Sequence, residues 1–103
     1  MLIMLSCMNG AFDGSTAEAY RRFRRDVPAP VLNQLLTCLG LSPADRAIDL
    51  GAGTGQVAVP LTARLAGVLA VDPEPDMLVQ LRRRAEEEQL TTLVCAPAGD
   101  VDL

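Results

Sequence analysis

The chain has 103 residues, of which 50% are hydrophobic and only 3% aromatic, and its formal net charge at pH 7 is -4. This length accommodates one domain with a modest core, and the scarcity of aromatic residues indicates helices packed on a parallel sheet. The acidic balance argues against a nucleic-acid partner, because binding by phosphate neutralisation requires a basic surface. No stretch reaches the ~18 consecutive apolar residues of a membrane span, so a membrane partner is not expected either.

The histidine and cysteine content limits the kinds of catalytic, metal-binding and disulfide sites that the chain can form. The chain contains no histidine, so the commonest general base and metal ligand is missing. Cys7, Cys38 and Cys95 form no CxxC pair, and we expect neither a disulfide framework nor a metal site. Free thiols fit a reducing compartment, which predicts a cytoplasmic protein, and Cys38 and Cys95 lie in apolar segments typical of a core.

The N-terminal residues carry an apolar run, MLIMLSCM, which is short and lacks the basic region of a signal peptide. We therefore expect residues 1–14 to be a disordered or mis-assigned extension, followed by one domain over residues 15–103. Ser15 and Glu18 have the spacing of a capping box and predict a short helix ending before Pro28. The basic residues are all arginines, which suggests a GC-rich bacterial genome.

Strand and helix patterns alternate through the rest of the chain. Short apolar runs predict buried strands over 47–50, 68–71 and 93–96. Apolar residues at helical spacing predict one helix ending at Gly40, a second over 56–66 that Pro60 should bend, and a third with Met77 and Leu81 on its inward face. This alternation predicts βαβ crossovers and a parallel sheet.

A glycine-rich turn, DLGAGTG at residues 49–55, separates the first of these strands from its helix. Glycines permit positive φ and close approach of a ligand to the backbone, and the following helix would offer unpaired N–H groups. Asp72 ends the next strand, where a carboxylate can accept two hydrogen bonds from a ribose diol. The ligand should therefore contain a nucleoside.

The glycine spacing separates two nucleoside-ligand classes. A dinucleotide-binding turn reads GxGxxG, and Gln56 stands where its third glycine would be, which disfavours an oxidoreductase fragment. The observed pattern is DxGxGxG. AIDLGAGTGQVAVPL at 47–61 followed by VLAVDPEPDML at 68–78 resembles motifs I and II of class I S-adenosylmethionine (SAM)-dependent methyltransferases, with a generic small-molecule methyltransferase domain.

The resemblance implies SAM as cofactor and a set of residues around it. Asp49 would face the amino group of SAM, the glycines would line the methionine moiety, Asp72 would bind both ribose hydroxyls, and Met77 would pack on the adenine. The acidic residue that receives the adenine amino group would be Asp100, with the backbone of Val101. The cofactor-binding set implied is Tyr20, Asp49, Gly51, Ala52, Gly53, Gly55, Asp72, Pro73, Met77, Asp100 and Val101.

Several of these residues have a structural alternative. Tyr20 either contacts the methionine carboxylate or packs on the core as part of a helix face, and Asp72 either binds ribose or caps a helix. The glycine loop could be a turn without a ligand, and Pro97 could occupy the position aligned with Asp100. The runs Arg82–Arg84 and Glu86–Glu88 are expected to form i,i+4 pairs on a solvent-exposed helix face.

The resemblance also implies a fold and its incompleteness. The family fold is a Rossmann-like α/β three-layer sandwich with seven strands in the order 3-2-1-4-5-7-6, and this chain would supply strands 1–3. The strand at 47–50 would then expose an edge, through which the chain could self-associate. We expect a methyltransferase truncated to its SAM-binding half, inactive alone, whose full-length relatives take a small-molecule methyl acceptor. The alternative is a non-catalytic nucleotide-binding or interaction module that pairs with a separate chain. The catalytic residues and the acceptor atom are not specified by this sequence.

Overall fold

In the computed structural model, a parallel sheet carries its helices on one face. The structure describes residues 2–5 and 25–100. Its elements in chain order are β1 (Leu2–Leu5), α1 (Ala29–Leu39), β2 (Arg46–Leu50), α2 (Ala58–Thr62), β3 (Gly67–Asp72), α3 (Pro75–Glu87), β4 (Leu93–Pro97) and a 3₁₀ turn (Ala98–Asp100).

The four strands are hydrogen-bonded in the order β1-β2-β3-β4, and every neighbouring pair is parallel. Ile48 lies opposite Leu69, which in turn lies opposite Val94. The three strands predicted from apolar runs are confirmed, each to within one residue at either end. The carboxyl ends of β2, β3 and β4 therefore meet at one edge of the sheet, as the βαβ pattern required.

The first strand differs from expectation. Leu2–Leu5 pairs in parallel with β2, from Leu2 opposite Ala47 to Leu5 opposite Leu50. The prediction that the strand at 47–50 leaves its edge unpaired is therefore wrong. An unpaired strand edge presents a row of unsatisfied N–H and C=O groups, and a short apolar run is itself compatible with a strand. The other residues of the predicted extension, and the helix expected to begin at Ser15, lie outside the described residues.

The long helices α1 and α3 follow their sequence patterns. Gly40, with φ of +67°, ends α1 in the left-handed conformation and donates its N–H to the last turn. In α3, the predicted inward residues Met77 and Leu81 are fully buried. Both predictions are confirmed. They rested on a 3.6-residue apolar period and on a glycine stop, which are typical signals of a helix and of its end.

The middle helix is shorter than predicted. A helix was expected over 56–66, but α2 covers only Ala58–Thr62. Pro60 explains part of the difference, since it has no N–H to donate to the carbonyl of Gln56. That carbonyl instead accepts the N–H of Val27 at 2.9 Å. The proline thus frees a backbone acceptor that ties the segment before α1 to the glycine loop.

The core lies between the helices and one face of the sheet. Its buried members come from every described helix and from alternate strand positions: Leu32, Ala47, Ala52, Ala58, Val59, Leu61, Leu65, Val68, Ala70, Leu81 and Leu93. Cys95 is half-buried at its margin, but Cys38 is exposed, so its predicted core position is wrong. Apolar neighbours in sequence therefore do not ensure burial, since Cys38 lies on an exposed part of α1.

The opposite face of the sheet is less buried than the face that carries the helices. Ile48, Leu50 and Leu69 are half-buried there, and Val94 is 59% exposed. Parallel sheets are ordinarily covered on both faces. The described residues therefore supply the sheet and one helix layer of the three-layer sandwich. None of the described helices has the length and apolar character needed to cross a membrane.

Candidate functional site

The glycine loop runs from the carboxyl end of β2 to α2 and is bound to the end of β3. Gly51, Gly53 and Gly55 have φ values of +74°, +60° and +94°. The N–H groups of Gly51 and Ala52 both donate to the carbonyl oxygen of Val71, at 2.8 and 3.0 Å. The N–H of Gly53 donates to the Asp72 carboxylate at 2.8 Å. Three consecutive loop amides are therefore engaged by β3.

This arrangement bears directly on the kind of ligand that the loop suits. A phosphate-binding loop works by pointing its free N–H groups, and those of the helix that follows, at the anion. Here the amides of Gly51, Ala52 and Gly53 already have acceptors within the protein. The helix α2 has five residues, and the N–H of Val59 donates to the Gly55 carbonyl. The N–H of Val59 is thus not among the unpaired amides expected of the next helix, and the three amides engaged by β3 are not available to a pyrophosphate.

Gly55 is required for close packing of the loop against α3. A Cβ at this position would lie 2.5 Å from Leu81 Cδ1 and 2.8 Å from Val59 Cγ2, both far inside contact distance. In the dinucleotide pattern this packing role belongs to the third glycine, at the position of Gln56. Gln56 is instead buried, with its side-chain amide donating to the Thr54 hydroxyl. The shift of the packing glycine by one position is the structural counterpart of the DxGxGxG spacing.

Asp72 links the glycine loop to the start of α3. It is 2% exposed, and its Oδ2 accepts the Gly53 N–H while Oδ1 accepts the Glu74 N–H at 2.8 Å. The alternative structural role of this carboxylate is therefore present in part, because the bond to Glu74 stabilises the turn that leads into the helix. An ionised carboxylate has about four acceptor sites, so two remain for further donors.

The remaining predicted site residues lie around the same edge of the sheet. Asp49 is fully buried on β2, opposite Ala70 in register, and Met77 is fully buried at the start of α3. Pro73 is exposed directly after β3. The structure therefore gathers the glycine loop, Asp72 and Met77 into one region, although Asp49 and Met77 present no exposed surface.

The adenine-side candidates are less closely gathered. Asp100 is exposed in the 3₁₀ turn after β4, three residues beyond the strand. Pro97, the alternative for that position, lies directly opposite Asp72 in the strand register. Val101 and Tyr20 lie outside the described residues.

Arg84 is a residue of this region that the sequence analysis missed. It was expected on an exposed helix face, but it is 6% exposed. Its Nε donates to Glu88 Oε2 at 2.7 Å, which confirms that i,i+4 pair, and its two Nη atoms donate to the two carboxylate oxygens of Asp26. Burial works to lower the pKa of Arg84, but the bonds to Asp26 and Glu88 outweigh it and raise that pKa. The sequence does carry a signal for this burial, because position 84 lies three residues after Leu81 and therefore falls on the same inward face of α3.

The described residues contain no group of three or more His, Cys, Asp or Glu side chains that could hold a metal ion.

Comparison with known proteins assigns the family. The family model described as a methyltransferase domain matches residues 47–103. An uncharacterized methyltransferase of Mycobacterium tuberculosis is 44% identical over 69 residues, which cover 67% of this chain and 27% of that protein. The chain thus spans about a quarter of the length of the curated relatives it matches.

Solved structures agree on the fold. A SAM-dependent methyltransferase structure from Methanococcus maripaludis, described as putative, matches with a TM-score of 0.73 and 18% identity, over 89% of this chain and 44% of that one. A SAM-dependent methyltransferase from Geobacter sulfurreducens in complex with S-adenosyl-L-homocysteine matches with a TM-score of 0.57 and 23% identity, over 79% and 33% of the two chains. At such identities these matches establish the architecture, and the family rests on residues 47–103. The chain belongs to the methyltransferase-domain family, the class I SAM-dependent methyltransferases whose motifs its glycine loop and Asp72 resemble.

Proposed function

We propose that this chain binds SAM at the carboxyl ends of β2 and β3, and that it is the cofactor-binding part of a methyltransferase acting on a small molecule. The observation that carries the proposal is the bonding of the glycine loop to β3. The amides of Gly51, Ala52 and Gly53 turn into the protein, and Asp72 stands at the adjacent strand end. A loop of this kind suits a nucleoside without a pyrophosphate.

The residues present fit such a ligand. Asp72 retains acceptor sites for two ribose hydroxyls after its bonds to Gly53 and Glu74. Gly51 and Gly53, both with positive φ, present backbone without a Cβ beside the ligand. Because Asp72 is 2% exposed, a bound ribose has to displace part of what covers this carboxylate.

The methionine and adenine portions are assigned from the family resemblance. Asp49 is proposed to face the amino group of SAM, directly or through water, while Gly51 to Gly55 surround the methionine moiety. Met77 is proposed to pack on the adenine, with Asp100 and Val101 near its amino group and Pro73 and Tyr20 at the margin. For Met77, which is fully buried, this role requires that the start of α3 open toward the ligand.

Within the whole protein, the chain's own residues would bind and orient the cofactor, and SAM would supply an activated methyl group on a sulfonium. Orientation and electrostatics are the protein's main contribution to such a displacement. Because the chain spans about a quarter of its curated relatives, we propose that alone it binds cofactor without transferring methyl groups. We place the protein in the cytoplasm, since Cys38 and Cys95 are unpaired.

Calorimetric titration of the 103-residue chain with S-adenosyl-L-homocysteine and with NAD tests the proposal. The unmodified chain should bind the first ligand more tightly than NAD. Asp72→Asn should weaken S-adenosyl-L-homocysteine at least about tenfold, because an amide offers one oxygen acceptor where the carboxylate offers two. Asp76→Asn is the matched control, since it makes the same change of charge in the first turn of α3, outside the proposed cofactor-binding set.

The outcomes separate the candidate functions. Tighter binding of NAD would overturn the proposal that SAM is the ligand of this chain. Binding of neither ligand would remove cofactor binding from this chain and leave the interaction module. Equal weakening by Asp72→Asn and Asp76→Asn would show that Asp72 has no specific part in holding the ligand.

A further inference from the structure

A buried arginine lies behind the glycine loop, on the side of α3. Arg84 has a side-chain exposure of 7%, whereas its partners Asp26 and Glu88 are 38% and 43% exposed. Its Nη1 lies 2.8 Å from Asp26 Oδ1 and 3.5 Å from the Gly55 carbonyl oxygen, the outer limit of a hydrogen bond. One guanidinium thus contacts α3, the segment before α1 and the loop.

The contact with Asp26 is not a local helix pair. Asp26 is 58 residues away in sequence, and its bidentate bonds use the planar fork of the guanidinium, which a lysine cannot reproduce. The next residue, Val27, donates its N–H to the carbonyl of Gln56, one residue after Gly55. The segment 25–28 is therefore fastened to the end of the glycine loop twice, once through its backbone and once through Arg84.

The burial of Arg84 requires an explanation beyond surface charge. A guanidinium taken out of water costs free energy unless each of its donors finds an acceptor. Arg82 and Arg83, the two residues before it, are exposed. The neighbouring inward position, Leu81, contacts the loop at Gly55, where an added Cβ would meet it at 2.5 Å. Arg84 lies about one helical turn after Leu81 and contacts the loop at the same residue, through the Gly55 carbonyl.

We propose that Arg84 is a positioning residue for the cofactor site, which holds the glycine loop at its Gly55 end together with segment 25–28. This inference rests on the proposed function, because the loop is expected to surround the amino-acid part of SAM. Arg84 itself does not touch the ligand. It acts by keeping the loop and the Gln56 carbonyl in place while Asp72 holds the other end through Gly53.

The test compares two ligands that differ only where the loop acts. S-adenosyl-L-homocysteine carries the amino-acid part, and 5′-methylthioadenosine has the same nucleoside and sulphur without it. Arg84→Lys should weaken S-adenosyl-L-homocysteine about tenfold and 5′-methylthioadenosine less than about twofold, as expected for loss of a charged hydrogen-bond network. Arg83→Lys, an exposed neighbour on the same helix, should change neither affinity.

A second variant and a ligand-free measurement complete the test. Asp26→Asn removes the charge of the more exposed partner, and it should give the same selective loss of affinity. It therefore keeps the test available if Arg84→Lys unfolds the chain. Amide exchange at Gly55, followed by NMR, should become about tenfold faster in either variant, whereas exchange at Gly53, whose N–H is held by Asp72, should change less. Equal weakening of the two ligands, or unchanged amide exchange, would overturn the proposal. If the unmodified chain binds neither ligand, the proposed function fails, and amide exchange alone then decides whether Arg84 positions the loop.

Discussion

Replacing Gly55 with alanine tests whether the third glycine of the loop is there for packing. The new methyl group would lie 2.5 Å from Leu81 Cδ1 and 2.8 Å from Val59 Cγ2, distances that real Cβ atoms do not show. Leu81 could turn its side chain, but it is fully buried among other core residues. Val59 is β-branched and has little rotamer freedom. Neither neighbour can give way without disturbing the core.

Two effects contribute to the cost. Gly55 has a φ of +94°, and a left-handed conformation costs a residue with a Cβ about 1–2 kcal/mol. Overpacking a well-filled core adds about 1–3 kcal/mol. The sum of about 2–5 kcal/mol is a large share of the roughly 5–15 kcal/mol expected for a domain of this size. The variant should therefore be strongly destabilised.

Gly40 provides the matched control. It also has a positive φ, of +67°, but a Cβ there would meet no atom within 4 Å. Gly40→Ala should cost only the backbone part, about 1–2 kcal/mol. Urea unfolding followed by far-ultraviolet circular dichroism measures both variants, and their difference isolates the steric part. If Gly55→Ala proves no less stable than Gly40→Ala, the assignment of Gly55 to helix packing is refuted.

Three further predictions concern titration, reactivity and the first strand. The backbone N–H of Ser42 donates to Asp45 and lowers the pKa of that carboxyl, so its contribution is present above about pH 4 and is lost as the pH falls through the lower folded value. Asp45→Asn should flatten the pH dependence of the unfolding midpoint in that range, and an unchanged profile would contradict this. Burial raises the pKa of the Cys95 thiol, so iodoacetamide should label the exposed Cys38 at least about tenfold faster at pH 7.5, as mass spectrometry would show; equal rates would contradict the burial. Removing residues 1–5 leaves the edge of β2 unpaired along four residues, which should lower the unfolding midpoint and increase self-association in sedimentation velocity. An unchanged unfolding midpoint would show that β1 adds nothing to the sheet.

The parts of the fold predicted from sequence are those set by local patterns. Strands β2, β3 and β4 followed from apolar runs between turn residues, and α3 from the spacing of Met77 and Leu81. The glycine loop and Asp72 followed from their places at strand ends. These signals are local, since each depends on neighbours within a few residues in the chain.

The parts that were missed depend on contacts distant in sequence. Strand β1 pairs with residues about 45 positions away, and an apolar run of four residues does not indicate its partner. Arg84 is buried because Asp26 reaches it from 58 residues away. The shortening of α2 was predicted only in part. Pro60 indicated a perturbed helix, but nothing near it in sequence indicated that the Gln56 carbonyl, which it leaves free, would accept the N–H of Val27. No local rule supplies these partners.

The class of ligand that the glycine loop suits depends both on a local sequence pattern and on contacts with residues distant in sequence. The spacing of glycines permits either a phosphate-binding turn or a turn folded back on the sheet, and what separates the two is the direction of three N–H groups. In this structure the Val71 carbonyl and the Asp72 carboxylate take those groups, so the residue expected to bind ribose also holds the loop in shape. On the proposed function, loss of Asp72 would remove a ligand contact, and it would also release the amide of Gly53. On the proposed function, the same aspartate would select the cofactor in two ways, by binding the ribose and by keeping the Gly53 amide from binding an anion.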